Sequence, residues 1–126
     1  MSDCGFCISV DIECPLSDYR CVLVAASIAP FKCHECDRQF PAGSPVELAT
    51  GDPDEDGAPR FSVETCADCH YIADAFCCDG RLHGSLWADM DDAFDETTFS
   101  EACLAEVETA SAKAYLVERW RKWKGL

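Results

Sequence analysis

Cys33-His34-Glu35-Cys36 and Cys66-Ala67-Asp68-Cys69, separated by 29 residues, decide the reading of this chain. A Cys-x2-Cys pair turns two thiolates towards one ion, and two such pairs complete a closed tetrahedron. The residues between them fit one hairpin. Val46 to Ala49 and Arg60 to Glu64 read as short strands, and TGDPDEDGAP between them is dense in turn formers. Beyond the hairpin, Thr65 with Asp68 resembles a capping box and opens a helix expected from Cys66 to Cys78, ended by Asp79-Gly80. The second pair therefore falls on a first helical turn, where the helix N-terminus stabilises thiolate charge.

Knuckle, hairpin and helix N-terminus in that order predict a treble-clef-like zinc unit. The expected ligands are Cys33, Cys36, Cys66 and Cys69. Four thiolates suit Zn²⁺ and also iron, and zinc is expected because no redox machinery accompanies the pairs. With four thiolates and a divalent ion the site is closed at a charge of −2, so its role is structural. Cys4-x2-Cys7, with Cys77 and Cys78 or Cys14, offers thiols for a second ion. The competing reading is that they are ordinary thiols, buried or dangling. Cys21 and Cys103 sit in apolar contexts and read as core.

On the N-terminal side, RCVLVAASI (20–28) is an apolar, β-branched run that predicts a buried strand. Residues 1–20 have no periodicity and read as an irregular, cysteine-containing arm. On the C-terminal side, Leu86, Met90 and Phe94 recur at helical spacing with Trp87 on the same face, predicting a helix from Ser85 to about Asp95. Thr98 and Glu101 form a second capping box. It opens a helical region that carries Leu104, Val107, Leu116, Trp120 and Trp123 and stops at Gly125, with a break expected at Ser111. The sum is one α+β domain of 126 residues, with an arm at 1–20, a zinc-binding unit at 21–79 and a helical part at 80–126.

Composition narrows the function. The chain has 24 acids against 10 bases, a formal charge of −14, which argues against a general nucleic-acid binder. No apolar run reaches a membrane span, and MSDCGFC lacks the basic and apolar regions of a signal peptide. The expectation is a cytosolic protein whose eleven cysteines stay reduced and serve metal rather than disulfides. No catalytic constellation is visible. His34 lies inside the first pair, His70 follows a ligand, and His83 stands in a turn with no Ser or Cys placed for a triad. There is no asparagine for His-Asn nuclease chemistry, and neither a Walker loop nor a dinucleotide fingerprint occurs. The chain is not expected to be an enzyme.

The charge is uneven. Residues 1–112 hold 23 acids and 5 bases, and residues 113–126 hold 5 bases and 1 acid. Acids cluster at Asp52, Asp54, Glu55 and Asp56 on the hairpin tip, and at Asp89, Asp91, Asp92, Asp95 and Glu96 on the second expected helix. Residues three or four apart on a helix are neighbours, so Asp89, Asp92 and Glu96 form one row with Asp91 and Asp95 beside it. Such a row imitates a phosphate backbone and favours a partner with a basic surface; its plain alternative is solubility. At the C-terminus, Arg119, Arg121, Lys122 and Lys124 alternate with Trp120 and Trp123. This pattern suits nucleic-acid contact, or a helix end whose cations complement its dipole while the tryptophans pack inward.

KCHECDRQFPAGSPVEL, ETCADCHYIADAFCCDG and RLHGSLWADMDDAF, with CLAEVE and VERWRKW in the tail, make the chain resemble small cysteine-rich proteins of prophages and temperate phages whose role is unassigned. The resemblance covers roughly residues 30 to 123. The acidic TGDPDEDGAP replaces the aromatic-rich, glycine-bearing turn usual in that group. The resemblance implies zinc at the two pairs and a phage origin, and it brings no catalytic residue. Phages use small acidic proteins against host nucleases and CRISPR complexes. The expected function is therefore a non-catalytic interaction module whose acidic face mimics nucleic acid towards a basic host protein. The alternative is a zinc-finger regulator that touches nucleic acid through the basic C-terminal helix.

Overall fold

The computed structural model describes residues 4, 7–8, 17–52, 57, 59–77, 83–95 and 99–125. The chain divides into two compact units, one formed by Asp11–Ala67 and the other by Met1–Val10 with Asp68–Leu126. Strands and helices are both present, so the α+β expectation holds.

The Asp11–Ala67 unit is built of strands. β1 (Ser17–Val24), β4 (Val46–Asp52) and β5 (Phe61–Cys66) form an antiparallel sheet in the order β1-β4-β5. β2 (Phe31–Lys32) and β3 (Gln39–Phe40) form a separate two-stranded ribbon. The expected hairpin is β4–β5, in register from Val46↔Cys66 to Gly51↔Phe61. Its acidic tip, with Asp54, Glu55 and Asp56, lies outside the described residues. The sheet buries Val46, Ala49, Thr65 and, unusually, Glu47.

β1 departs from expectation. It begins at Ser17, carries a bulge with Asp18 at φ 53°, and leaves Tyr19, Val22 and Leu23 exposed. Cys21 is exposed as well, so it is not core. The reason is position. β1 ends the strand order, and this unit has no helix among its described residues to cover an apolar face.

The second unit holds α1 (Ala67–Phe76), α2 (Leu86–Asp95), a 3-10 helix (Glu101–Glu106) and α3 (Ala110–Lys124). α1 ends two residues before the expected Cys78. α2 keeps the expected face inward, burying Leu86, Trp87, Met90 and Phe94. Phe99 meets Phe76, Phe94 and Trp120 edge-on, with ring centroids 6.0, 5.1 and 4.9 Å away. These contacts make an aromatic centre for the helices.

The break in the C-terminal region falls at Val107–Thr109, ahead of Ser111. Thr109 has extended dihedrals, and its hydroxyl oxygen accepts the Ala112 N–H at 3.2 Å, so α3 starts there. Gly125 ends α3 with φ 78°, its N–H donating to the carbonyls of Arg121 and Lys122. Thr98 lies outside the described residues.

The N-terminal arm is tied to this unit. The Ile8 N–H donates to the Phe76 carbonyl at 2.8 Å, and Cys4 forms a disulfide with Cys103 across a separation of 99 residues. Cys7 is disulfide-bonded too. The expectation that all cysteines stay reduced therefore fails for Cys4, Cys7 and Cys103. Cys103 is core, as expected, but oxidised core. No helix among the described residues is long and apolar enough to cross a membrane.

Candidate metal centre

The ribbon β2–β3 exists to present a turn. Phe31 pairs with Phe40 and Lys32 with Gln39, and the two phenyl rings stack at 5.3 Å. Between the strands the chain reverses through Cys33 to Arg38. The Cys33 N–H donates to the Arg38 carbonyl at 2.9 Å, and the Asp37 N–H donates to the Cys33 carbonyl at 3.0 Å. Asp37 adopts φ 63°, which closes the reversal. The His34 N–H donates to the Glu64 carbonyl at 2.8 Å, anchoring the turn to β5 two residues before Cys66. Strand β5 runs straight into α1, so Cys66 ends the strand and Cys69 stands in the first helical turn.

The four sulfurs of Cys33, Cys36, Cys66 and Cys69 lie within 4.8 Å of one another. A metal–sulfur bond of about 2.3 Å puts the edges of a regular sulfur tetrahedron at about 3.8 Å. The Cys36–Cys66 edge is 3.9 Å. Cys33, Cys66 and Cys69 are buried, and Cys36 is half-buried. Four soft donors at this spacing, three of them shut away from water, can hold a metal ion.

Each sulfur also meets a donor. Cys33 Sγ accepts the backbone N–H of Cys36 at 3.5 Å and of Cys66 at 3.2 Å. Arg38 donates Nε–H to Cys36 Sγ at 3.3 Å and Nη2–H to Cys66 Sγ at 3.5 Å. The Trp87 indole N–H reaches Cys69 Sγ at 3.3 Å. Donors on every sulfur favour the thiolate over the thiol, which is the form a metal needs.

The second site does not form as expected. Cys4 is consumed by Cys103 and Cys7 is also oxidised, so neither offers a thiolate. Cys77 is a half-buried thiol, and Cys14 and Cys78 lie outside the described residues. Spacing alone put Cys4 with Cys7; folding instead brings Cys4 to the 3-10 helix.

The acidic residues are only partly gathered. Asp52 pairs with Arg60 at 3.3 Å. Asp89 is half-buried and accepts the Ser85 hydroxyl at 3.3 Å. Asp91, Asp92 and Asp95 are exposed on α2, away from its buried face. Glu96 lies outside the described residues.

At the basic end, the Arg119 guanidinium lies over the Trp87 ring at 4.2 Å and Lys124 Nζ over Trp120 at 3.9 Å. Lys122 pairs with Glu118 at 3.7 Å. His34 is exposed, and His70 packs edge-on to Tyr71.

Arg38 and Trp87 were not marked as site residues by the sequence. Arg38 sits just beyond the first pair with no spacing rule to flag it, and Trp87 reads as one more apolar residue of α2. Comparison with family models, curated proteins and solved structures finds no match to this chain.

Proposed function

We propose that this chain is a non-catalytic interaction module organised by one structural Zn²⁺ on Cys33, Cys36, Cys66 and Cys69, in a treble-clef-like arrangement. The observation that carries the reading is the cluster of four sulfurs, closed by protein on all corners. A centre with four protein ligands has no position for a substrate or an activated water. Zinc is preferred to iron because four cysteine thiolates in a closed tetrahedron are a standard ligand set of structural zinc.

In this reading the work is done by surfaces. Asp91, Asp92 and Asp95 stand within one to four positions of each other on the outer side of α2, a carboxylate patch suited to a basic host protein that otherwise grips nucleic acid. The proposed setting is a phage protein acting in a host cytosol against a nucleic-acid-processing defence complex. An oxidised pair needs protection to last there; Cys103 is fully buried and Cys4 is half-buried. The basic C-terminal helix is the weaker binding surface, because Arg119 and Lys124 are already engaged with tryptophan rings.

Two measurements test this. Native mass spectrometry of the purified protein should find one zinc per chain, and a Cys66→Ser, Cys69→Ser variant should lose it; a coloured, iron-loaded protein contradicts the zinc assignment. Zinc-loaded protein should capture from host lysate a basic protein that added DNA displaces. Asp91→Asn, Asp92→Asn, Asp95→Asn should lose that capture. Capture that ignores both DNA and the triple variant rules out the acidic patch as the binding face.

A further inference from the structure

The donors that face the sulfurs are of two kinds. The two N–H groups on Cys33 are backbone and belong to the local turn and the strand end. Those on the other three sulfurs are side chains, one cationic and one neutral, and each is held in place by an aromatic contact. Arg38 lies over the Phe40 ring at 5.2 Å, where its fork spans Cys36 Sγ and Cys66 Sγ. It thereby joins one sulfur from each Cys-x2-Cys pair across the 3.9 Å edge. Trp87 is buried, with the Arg119 guanidinium over its ring at 4.2 Å and the Tyr115 ring edge-on to it at 5.4 Å, and it donates Nε1–H to Cys69 Sγ at 3.3 Å.

Donation to a thiolate draws electron density from sulfur. The sulfur remains a ligand but becomes a poorer nucleophile, and its hydrogen bond opposes the swing that metal release needs. The guanidinium also moves the formal charge of a four-thiolate, divalent centre from −2 to −1. Arg38 further stands beside Cys36, the one half-buried sulfur, where an electrophile or a chelator would arrive first.

We infer that Arg38 and Trp87 are positioning residues of the metal centre: Arg38 clamps and partly neutralises the Cys36–Cys66 edge, Trp87 fixes Cys69, and together they make the ion slow to leave and the thiolates slow to alkylate. The inference rests on the four cysteines being metal ligands.

The test uses the full chain loaded with Co²⁺ or Zn²⁺, as wild type and as Arg38→Ala, Arg38→Lys and Trp87→Phe. Three quantities are read: the position of the sulfur-to-cobalt charge-transfer band, the rate of zinc transfer to a chromophoric chelator, and the rate of alkylation by iodoacetamide. Arg38→Ala should weaken metal binding about 10- to 100-fold, the range for loss of such a partner, and speed transfer and alkylation. Its cobalt band should move to longer wavelength, because the sulfur lone pairs are no longer stabilised. Arg38→Lys keeps the charge but not the fork, so it should fall between. Trp87→Phe keeps most of the ring and loses the donor, so its band should also move to longer wavelength while the fold stays intact.

Unchanged bands and rates in Arg38→Lys and Trp87→Phe overturn the inference and leave the metal centre standing. A wild-type protein that gives no four-thiolate cobalt spectrum overturns both.

Discussion

Asp37 occupies the left-handed region at φ 63°, one residue past the second cysteine of the first pair. Only glycine adopts that conformation freely, although a short polar side chain eases it. Its ion pair with Lys32 is long, at 4.0 Å, and both partners are well exposed, so it contributes little. Asp37→Gly should therefore leave the urea midpoint of the metal-loaded protein unchanged or slightly higher. Asp37→Val, branched at Cβ, should lower stability by about 1–2 kcal/mol. At this scale the sequence was legible where chemistry and spacing coincide: Cys33, Cys36, Cys66 and Cys69 identify themselves. It was opaque for Arg38 and Trp87, because a donor is recognised by what it faces, and the Trp87–Cys69 contact crosses 18 residues.

Helices and strands differ in how far their residues announced them. α2 was readable because Leu86, Met90 and Phe94 repeat at a helical period, and Met90 and Phe94 are almost wholly buried. Met90→Ala should cost about 2–5 kcal/mol, as cavities in helical cores do, measurable by chemical denaturation. α3 is held at its start by the Thr109 side chain, so Thr109→Ala should cost about 1 kcal/mol. Thr109→Ser, which keeps the acceptor, should restore it. The break was misplaced because Ser111 can also cap a helix; its hydroxyl instead donates to Asp68 Oδ1 at 2.7 Å. β1 misled for a different reason. An apolar, β-branched run reports that a strand is favourable, but not whether anything covers it.

Across the molecule, the two compact units rely on different fastenings. The Asp11–Ala67 unit has a small core and carries Cys33, Cys36 and Cys66, so its fold should depend on metal binding by the proposed centre. The other unit has the aromatic centre and the Cys4–Cys103 disulfide. Chelation should raise amide exchange in β4 and β5. Reduction of the disulfide should instead raise it in the 3-10 helix and α3, at a stability cost of about 2–5 kcal/mol. Hydrogen–deuterium exchange checks both, and equal loss of protection everywhere under either treatment contradicts the division. The disulfide was the least legible feature of all, since partners 99 residues apart share no local pattern.

One chain that holds both a disulfide and a thiolate cluster imposes an order of assembly. An oxidant able to join Cys4 to Cys103 is equally able to join neighbouring sulfurs of the cluster. An ion held by the four cysteines would serve as a protecting group, and it would have to be in place before the oxidant arrives. Protein refolded in air without metal should accumulate scrambled disulfide isomers. The same protein given zinc first and oxidant second should mature to a single form.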